Sequence, residues 1–175
     1  MKGVNMVKPM NLFVDMDGVL VNFEQGVRNL FGHDAFDKVR YKTDSEKAAR
    51  NAKIQNHLKF WSDLPPMRDF DQLWNFIKHF RPDILTAYAE WDAVNSKNGK
   101  RIWNKKHLKV PDDKFHCVRR DHKKLYAKDH HGNPNVLIDD YPLNIKEWEE
   151  AGGIGILHTS AASTINRLKQ LGFHP

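Results

Sequence analysis

The chain has 175 residues, 40% of them apolar, with five Trp and ten Phe, which excludes a disordered polymer and fits one domain, or one domain carrying a small insertion. A net charge of +6 and a pI near 9.4 point to an anionic partner, a phosphate compound or nucleic acid. Cys117 is the single cysteine, so an internal disulfide is excluded and a reducing compartment is indicated.

The first ten residues, MKGVNMVKPM, lack the apolar stretch of a signal peptide. No segment approaches a membrane span of ~20 apolar residues, so the expectation is a soluble, cytoplasmic protein without membrane contact.

In chain order, the first strand is expected at NLFVD (11–15). No convincing strand follows from about Gly26 to Pro66. Within that stretch TDSEKAARNAKIQNHLKFW (43–61) has the pattern of a helix, with Thr43 and Glu46 spaced as a capping box. Seven Lys/Arg against two Asp/Glu lie between Lys38 and Phe60. The stretch is therefore expected to be a basic helical insertion, closed by the break at Leu64–Pro66.

Helix FDQLWNFIKHF (70–80) then leads to strand DILTA (83–87), and helix SKNGKRIWNKKHL (96–108) to strand KFHCV (114–118). Strand NVLID (135–139), helix PLNIKEWEEAG (142–152), strand GIGIL (153–157) and helix SAASTINRLKQLG (160–172) complete the chain. Each strand candidate is a continuous apolar run rather than an alternation, as in strands buried on both faces. The expected fold class is α/β, a parallel sheet covered by helices on both sides.

Open parallel sheets place ligand sites at the carboxyl ends of their strands. Those ends carry Asp15 and Asp17, then Thr86, then Arg119 and Arg120, then Asp139 and Asp140. Four carboxylates brought together repel unless a hard divalent cation sits among them, and Mg²⁺ prefers oxygen ligands of this kind. His130-His131 has no further ligand at suitable spacing and is expected to face solvent. GGIGIL lacks the strand-loop-helix order of a dinucleotide or P-loop motif.

These motifs carry a resemblance. DMDGVL is similar to the first motif of the haloacid dehalogenase (HAD) superfamily of phosphatases, Asp-x-Asp-Gly-Val; Thr86 matches the second motif, and VLIDD resembles the fourth. Within that superfamily the start of the chain, with Asn22, Phe23 and Glu24, looks like the 5'(3')-deoxyribonucleotidases. KFWSDLPP, the Lys100-x-x-Trp103 segment and RRDHKK resemble further segments of that group. The chain departs from it in having Ala87 after Thr86. The third-motif lysine falls on His122 without a gap, and on Lys123 or Lys124 after a short shift, Lys123 being nearer the strand end.

The resemblance implies a Rossmann-like catalytic core formed by residues 1–25 and 67–175, with a small helical cap at 26–66. It implies a Mg²⁺-dependent phosphatase acting on nucleoside or deoxynucleoside monophosphates. Asp15 would be the nucleophile and Asp17 the general acid and base, with Thr86 and Lys123 holding phosphate oxygens. Mg²⁺ would be bound by Asp15, the main-chain carbonyl of Asp17, Asp140 and, through water, Asp139. Gly18, Phe23, Phe60, Trp61, Lys100 and Arg120 would contact substrate. Two alternatives use the same basic surface: a phosphatase of 3'-phosphorylated nucleic-acid ends, and a non-catalytic nucleic-acid-binding module.

Overall fold

A computed structural model describes residues 10–32 and 43–175. Five strands, β1 (Leu12–Val14), β2 (Asp83–Ala87), β3 (Phe115–Val118), β4 (Val136–Asp139) and β5 (Ile154–Leu157), form one sheet in the order β3-β2-β1-β4-β5, and every pairing is parallel. All five lie within the runs read from the sequence.

The sheet is apolar on both faces because its central strands send alternate side chains into two separate cores. Leu12, Val14, Ile84 and Ile138 enter one core; Phe13, Leu85, Leu137 and Trp148 enter the other. A strand buried on both sides gains nothing from polar alternation, which is why continuous apolar runs marked these positions. The described residues also form six α-helices: α1 (Phe23–Phe31), α2 (Asp44–Gln55), α3 (Phe70–Ile77), α4 (Ala93–Trp103), α5 (Pro142–Glu150) and α6 (Ala161–Gln170).

Local signals account for several helix ends. Thr43 Oγ1 accepts from the Glu46 N–H at 3.2 Å, and the Glu46 carboxylate accepts from the Thr43 N–H at 3.0 Å, closing the capping box of α2. Ser160 caps α6 by accepting from the Ser163 N–H at 3.2 Å. The same helix start is held by Asp69, which accepts from the Ala161 N–H at 2.6 Å.

Three boundaries differ from the sequence reading. Helix α1 starts at Phe23, ahead of the helical insertion expected from Gly26, and is capped by Asn22 Oδ1, which accepts from the Gln25 N–H at 2.9 Å. Helix α2 stops at Gln55 rather than continuing to Trp61, because Phe60, Trp61 and Leu64 turn inward to join the core. Helix α4 starts three residues before Ser96 and continues into a π turn, Asn104–Leu108. The insertion expected at 26–66 includes residues 33–42, which lie outside the described residues.

Strand order fixes where a ligand can enter. The chain builds outward from β1 to β2 and β3, then crosses back to β4 on the other side of β1. The crevice at the carboxyl ends of these strands is a topological switch point, where connections on opposite faces leave a gap. No helix among the described residues is long and apolar enough to cross a membrane.

Candidate active site

At the end of β1 the Asp15 N–H continues the ladder to the Ile138 carbonyl at 2.9 Å, leaving its side chain at the mouth of the crevice, 6% exposed. The chain then tightens: the Met16 carbonyl accepts from the N–H groups of Val19, Leu20 and Val21 at 3.1, 2.8 and 2.9 Å. Gly18 makes this turn possible in two ways. Its φ of +80° is in the left-handed region, and a Cβ there would lie 2.0 Å from Asp140 Oδ2.

Lys123, on the short helical turn Arg120–Tyr126 after β3, is 3% exposed. Its ammonium donates to Asp15 Oδ1 at 2.9 Å and to Asp139 Oδ2 at 2.8 Å. Asp139 is fully buried and also accepts from the Tyr141 N–H at 2.9 Å and from Asn144 Nδ2 at 3.0 Å. Lys123, rather than the exposed Lys124, is therefore the lysine at the strand ends.

One ammonium faces more negative charge than it can neutralise. Carboxylate oxygens of Asp15, Asp139 and Asp140 lie within 4.8 Å of one another. Burial, then the Asp139 charge, raise the pKa of Asp15 despite the opposing pull of Lys123. Loss of water and the Asp139 charge push Asp140 up to about 6. Lys123 is raised too, because the two carboxylates outweigh the cost of burying it. An all-oxygen donor set with surplus negative charge has the chemistry of a hard-cation site. The Asp17 carboxylate is not in this group.

Asp17 turns instead to Lys100. This lysine, 1% exposed on α4, donates to Asp17 Oδ2 at 2.5 Å and to Thr86 Oγ1 at 3.0 Å. The second oxygen, Asp17 Oδ1, is buried with no hydrogen-bond partner among the described residues. A buried carboxylate oxygen without a partner leaves an acceptor that a ligand's hydrogen-bond donor can satisfy.

These groups open onto a cavity of about 640 Å³ lined in part by Asp15, Asp17, Gly18 and Lys123. Its outer wall is aromatic. Phe23 stacks on Trp61 with centroids 5.6 Å apart, and Trp91 packs on Trp61 at 5.8 Å. Trp61 is fixed by its Nε1–H, which donates to Asp92 Oδ2 at 2.7 Å. Gly99 lets α4 approach this ring, since a Cβ there would lie 2.3 Å from the Trp61 Cβ.

The structure brings together Asp15, Asp17, Gly18, Thr86, Lys123, Asp139 and Asp140, with Phe23 and Trp61 on the wall. Three expected substrate contacts are placed otherwise. Phe60 is 5% exposed, packed edge-on to Phe23 and Trp61, and lines a different cavity. Arg120 pairs with Glu147 at 2.9 Å and donates to Asn144 at 3.0 Å, outside the cavity lining. Lys100, buried and off the cavity lining, meets the site through Asp17, Thr86 and the Trp61 ring, whose centre is 5.6 Å from its ammonium.

Arg50, Tyr88, Trp91 and Asn144 also line the cavity and were not singled out in the sequence. Tyr88 and Trp91 had a legible signal, following the second strand end directly. Arg50 belongs to the basic excess of α2, but nothing in the pattern distinguishes it from its neighbours.

No family model matches the sequence, and no curated protein is similar to it in sequence. The similarity lies in the fold. A hydrolase from Streptococcus pneumoniae TIGR4 aligns with a TM-score of 0.58 at 12% identity, over 93% of this chain and 99% of that one. A haloacid dehalogenase-like family hydrolase from Streptococcus pneumoniae gives 0.51 at 14% identity, over 92% and 91%. A HAD family hydrolase from Deinococcus radiodurans R1, with bound phosphate and sodium, gives 0.52 at 10% identity, over 94% and 89%. The chain has the Rossmann-like fold of the HAD hydrolases.

Proposed function

We propose that the protein is a Mg²⁺-dependent phosphatase that hydrolyses nucleoside or deoxynucleoside monophosphates through an aspartyl-phosphate. The observation that carries this reading is the division of labour between Asp15 and Asp17. Asp15 is held by Lys123 beside two further carboxylates, while Asp17 is held apart by Lys100 with one oxygen unsatisfied. The phosphate bound by the Deinococcus neighbour is consistent with a phosphate-ester substrate.

Asp15 attacks phosphorus, and the ester P–O bond breaks as Asp17 gives its proton to the leaving alcohol oxygen. Asp17 then takes a proton from water as that water attacks the phosphorus. Inorganic phosphate leaves, and the Asp15 carboxylate is restored. Lys123 holds a phosphate oxygen, while Thr86, fully buried and off the cavity lining, anchors Lys100, which keeps the Asp17 carboxylate aimed at the leaving group. Asp15, Asp139 and Asp140 together fit a magnesium ion, which would neutralise charge as the bond breaks, and the Asp17 main-chain carbonyl would complete the protein's share of its ligands.

The aromatic wall supports a nucleoside substrate. Phe23 and Trp91, both part-exposed at the cavity, offer ring surface on which a base stacks, at ~1–3 kcal/mol each, with Trp61 buried behind them as their support. Arg50 lines the same cavity, 5.7 Å from the Phe23 ring centre. Residues 26–66 act as the cap in this reading, since they supply Arg50 and Trp61 to the wall.

The test is phosphate release from a panel of 5'- and 3'-mononucleotides and a 3'-phosphorylated oligonucleotide, with Mg²⁺ and with EDTA. Metal-dependent release from mononucleotides is the expected result. Release from the oligonucleotide alone would move the function to nucleic-acid ends, and no release from any ester would refute it.

A further inference from the structure

Another cavity, of about 490 Å³, lies at the opposite end of the sheet from the carboxylates, between the end of α3 and the turn after α4. That volume is within the ~300–1,000 Å³ of small-molecule sites. Its inner surface is apolar, with Pro82 and Leu108 buried and Trp74 half-buried. Trp74 is its one aromatic wall, braced from behind by Phe70 in a near-parallel stack at 6.5 Å. Lys78, Arg81, Lys109 and Lys114 form the rim against a single carboxylate, Asp113.

Two of these cations occupy unusual backbone. Arg81 (φ 49°) and Lys109 (φ 57°) are the non-glycine residues with positive φ among the described residues, and both line this cavity. Each ends a helical turn in the left-handed position that glycine fills most easily. Neither forms an ion pair with a described residue, so their charge remains available to a ligand.

Both turns are braced. Lys114 Nζ donates to the Arg81 carbonyl at 2.6 Å and to Asp83 Oδ1 at 2.9 Å. Asn104 grips the other turn: its Nδ2 donates to the Val110 carbonyl at 2.9 Å, and its main-chain carbonyl accepts from the Lys109 N–H at 2.7 Å. The braced backbone holds the stems of both cations beside an apolar, aromatic-walled cavity, which reduces what must be ordered on binding.

We infer that this cavity binds a small anion carrying a planar ring, the chemistry of a nucleoside phosphate, with the ring against Trp74 and Leu108 and the phosphate at Arg81 and Lys109. The site is separate from the carboxylate cluster and does not depend on the reaction proposed there.

The experiment is an NMR titration of isotope-labelled protein in EDTA with adenosine 5'-monophosphate, adenosine and inorganic phosphate as probes. The nucleotide is expected to shift the Trp74 indole and the Arg81, Lys109 and Val110 amides saturably, and more tightly than adenosine or phosphate. The double variant Arg81→Gly, Lys109→Gly keeps the left-handed backbone and removes both charges. It should weaken nucleotide binding at these signals about ten-fold or more while leaving phosphate release at the carboxylate end unchanged. Arg81→Lys, which keeps the charge, should bind within a few-fold of wild type and guards against misfolding as the cause. Shifts confined to residues around Phe23 and Trp61, phosphate binding as tightly as the nucleotide, or a double variant that binds like wild type would each overturn the inference.

Discussion

Aspartate does opposite things at the two ends of this sheet. At the amino end, Asp83 opens β2 and meets Lys114 at 2.9 Å and His116 at 2.8 Å. Burial works against its charge, but the bonds from His116 and Lys114 prevail and hold its carboxyl below the usual range. At the carboxyl end, Asp15 and Asp140 are raised by burial and by Asp139, with Lys123 too little to compensate. The difference separates a charge that serves the fold from charges the fold tolerates for another purpose. Strained electrostatics of this kind is a mark of functional sites.

Breaking the carboxyl end should have the largest effect on chemistry. Asp15→Asn keeps the shape and removes the proposed nucleophile, so turnover of any phosphate-ester substrate should fall by at least ~10⁴-fold in a steady-state phosphate assay. The fold should survive, because the substitution relieves repulsion with Asp139. Lys123→Met should show the reverse pattern in stability. It leaves Asp15 and Asp139 buried without their shared cation, at a cost of about 3–5 kcal/mol by denaturant melt.

Metal should reconcile the repelling charges. Mg²⁺ at about 100 times its dissociation constant should add ~2.7 kcal/mol to wild-type stability, measured as a rise in Tm, and much less in Asp140→Asn. EDTA should abolish the gain.

In EDTA the two ends should also have opposite pH slopes. Asp140 has a folded pKa of about 6 against an ordinary 3.8, so its proton favours the fold and stability rises as pH falls between those values. Asp83 has a lowered folded pKa. Its contribution is whole above 3.8 and is lost as pH falls through the folded value. Asp140→Asn should reduce the first slope, the rest coming from Asp15, which burial and Asp139 also raise, and Asp83→Asn should remove the second, read from Tm against pH. At neutral pH Asp83→Asn should cost on the order of 1 kcal/mol, because Lys114 is partly exposed and water screens that pair. The smallest effect is expected from Arg120→Gln, within ~1 kcal/mol in stability and with turnover nearly unchanged, since its pair with Glu147 is part-exposed and off the cavity.

The sequence revealed the strands and most of the carboxylate cluster for one physical reason. A central parallel strand must be apolar on both faces, and the polar residues that end it have only the crevice to enter. Asp15, Thr86 and Asp139 were legible on that basis. Side-chain direction away from strand ends was not. Arg120 adjoins a strand end, yet Asn144 and Glu147 on α5 draw it aside, and they are more than 20 residues away in the chain. Lys100 is one of several lysines on a basic helix, and only the packing of α4 against Trp61 and β2 buries it beside Asp17. Phe60 and Trp61 are adjacent aromatics with similar patterns, but only Trp61 has an indole N–H to be anchored by Asp92 at the cavity wall. The start of α1 was masked by the motif that precedes it.

The central claim is that Asp15 carries the phosphoryl group. Its most direct test is a rapid acid quench of the Mg²⁺-loaded protein during a single turnover of a radiolabelled mononucleotide, followed by peptide mapping. The account predicts transient label on the peptide containing Asp15, released by hydroxylamine and absent in Asp15→Asn. Phosphate release with no label on the protein, or label on a different residue, would contradict it.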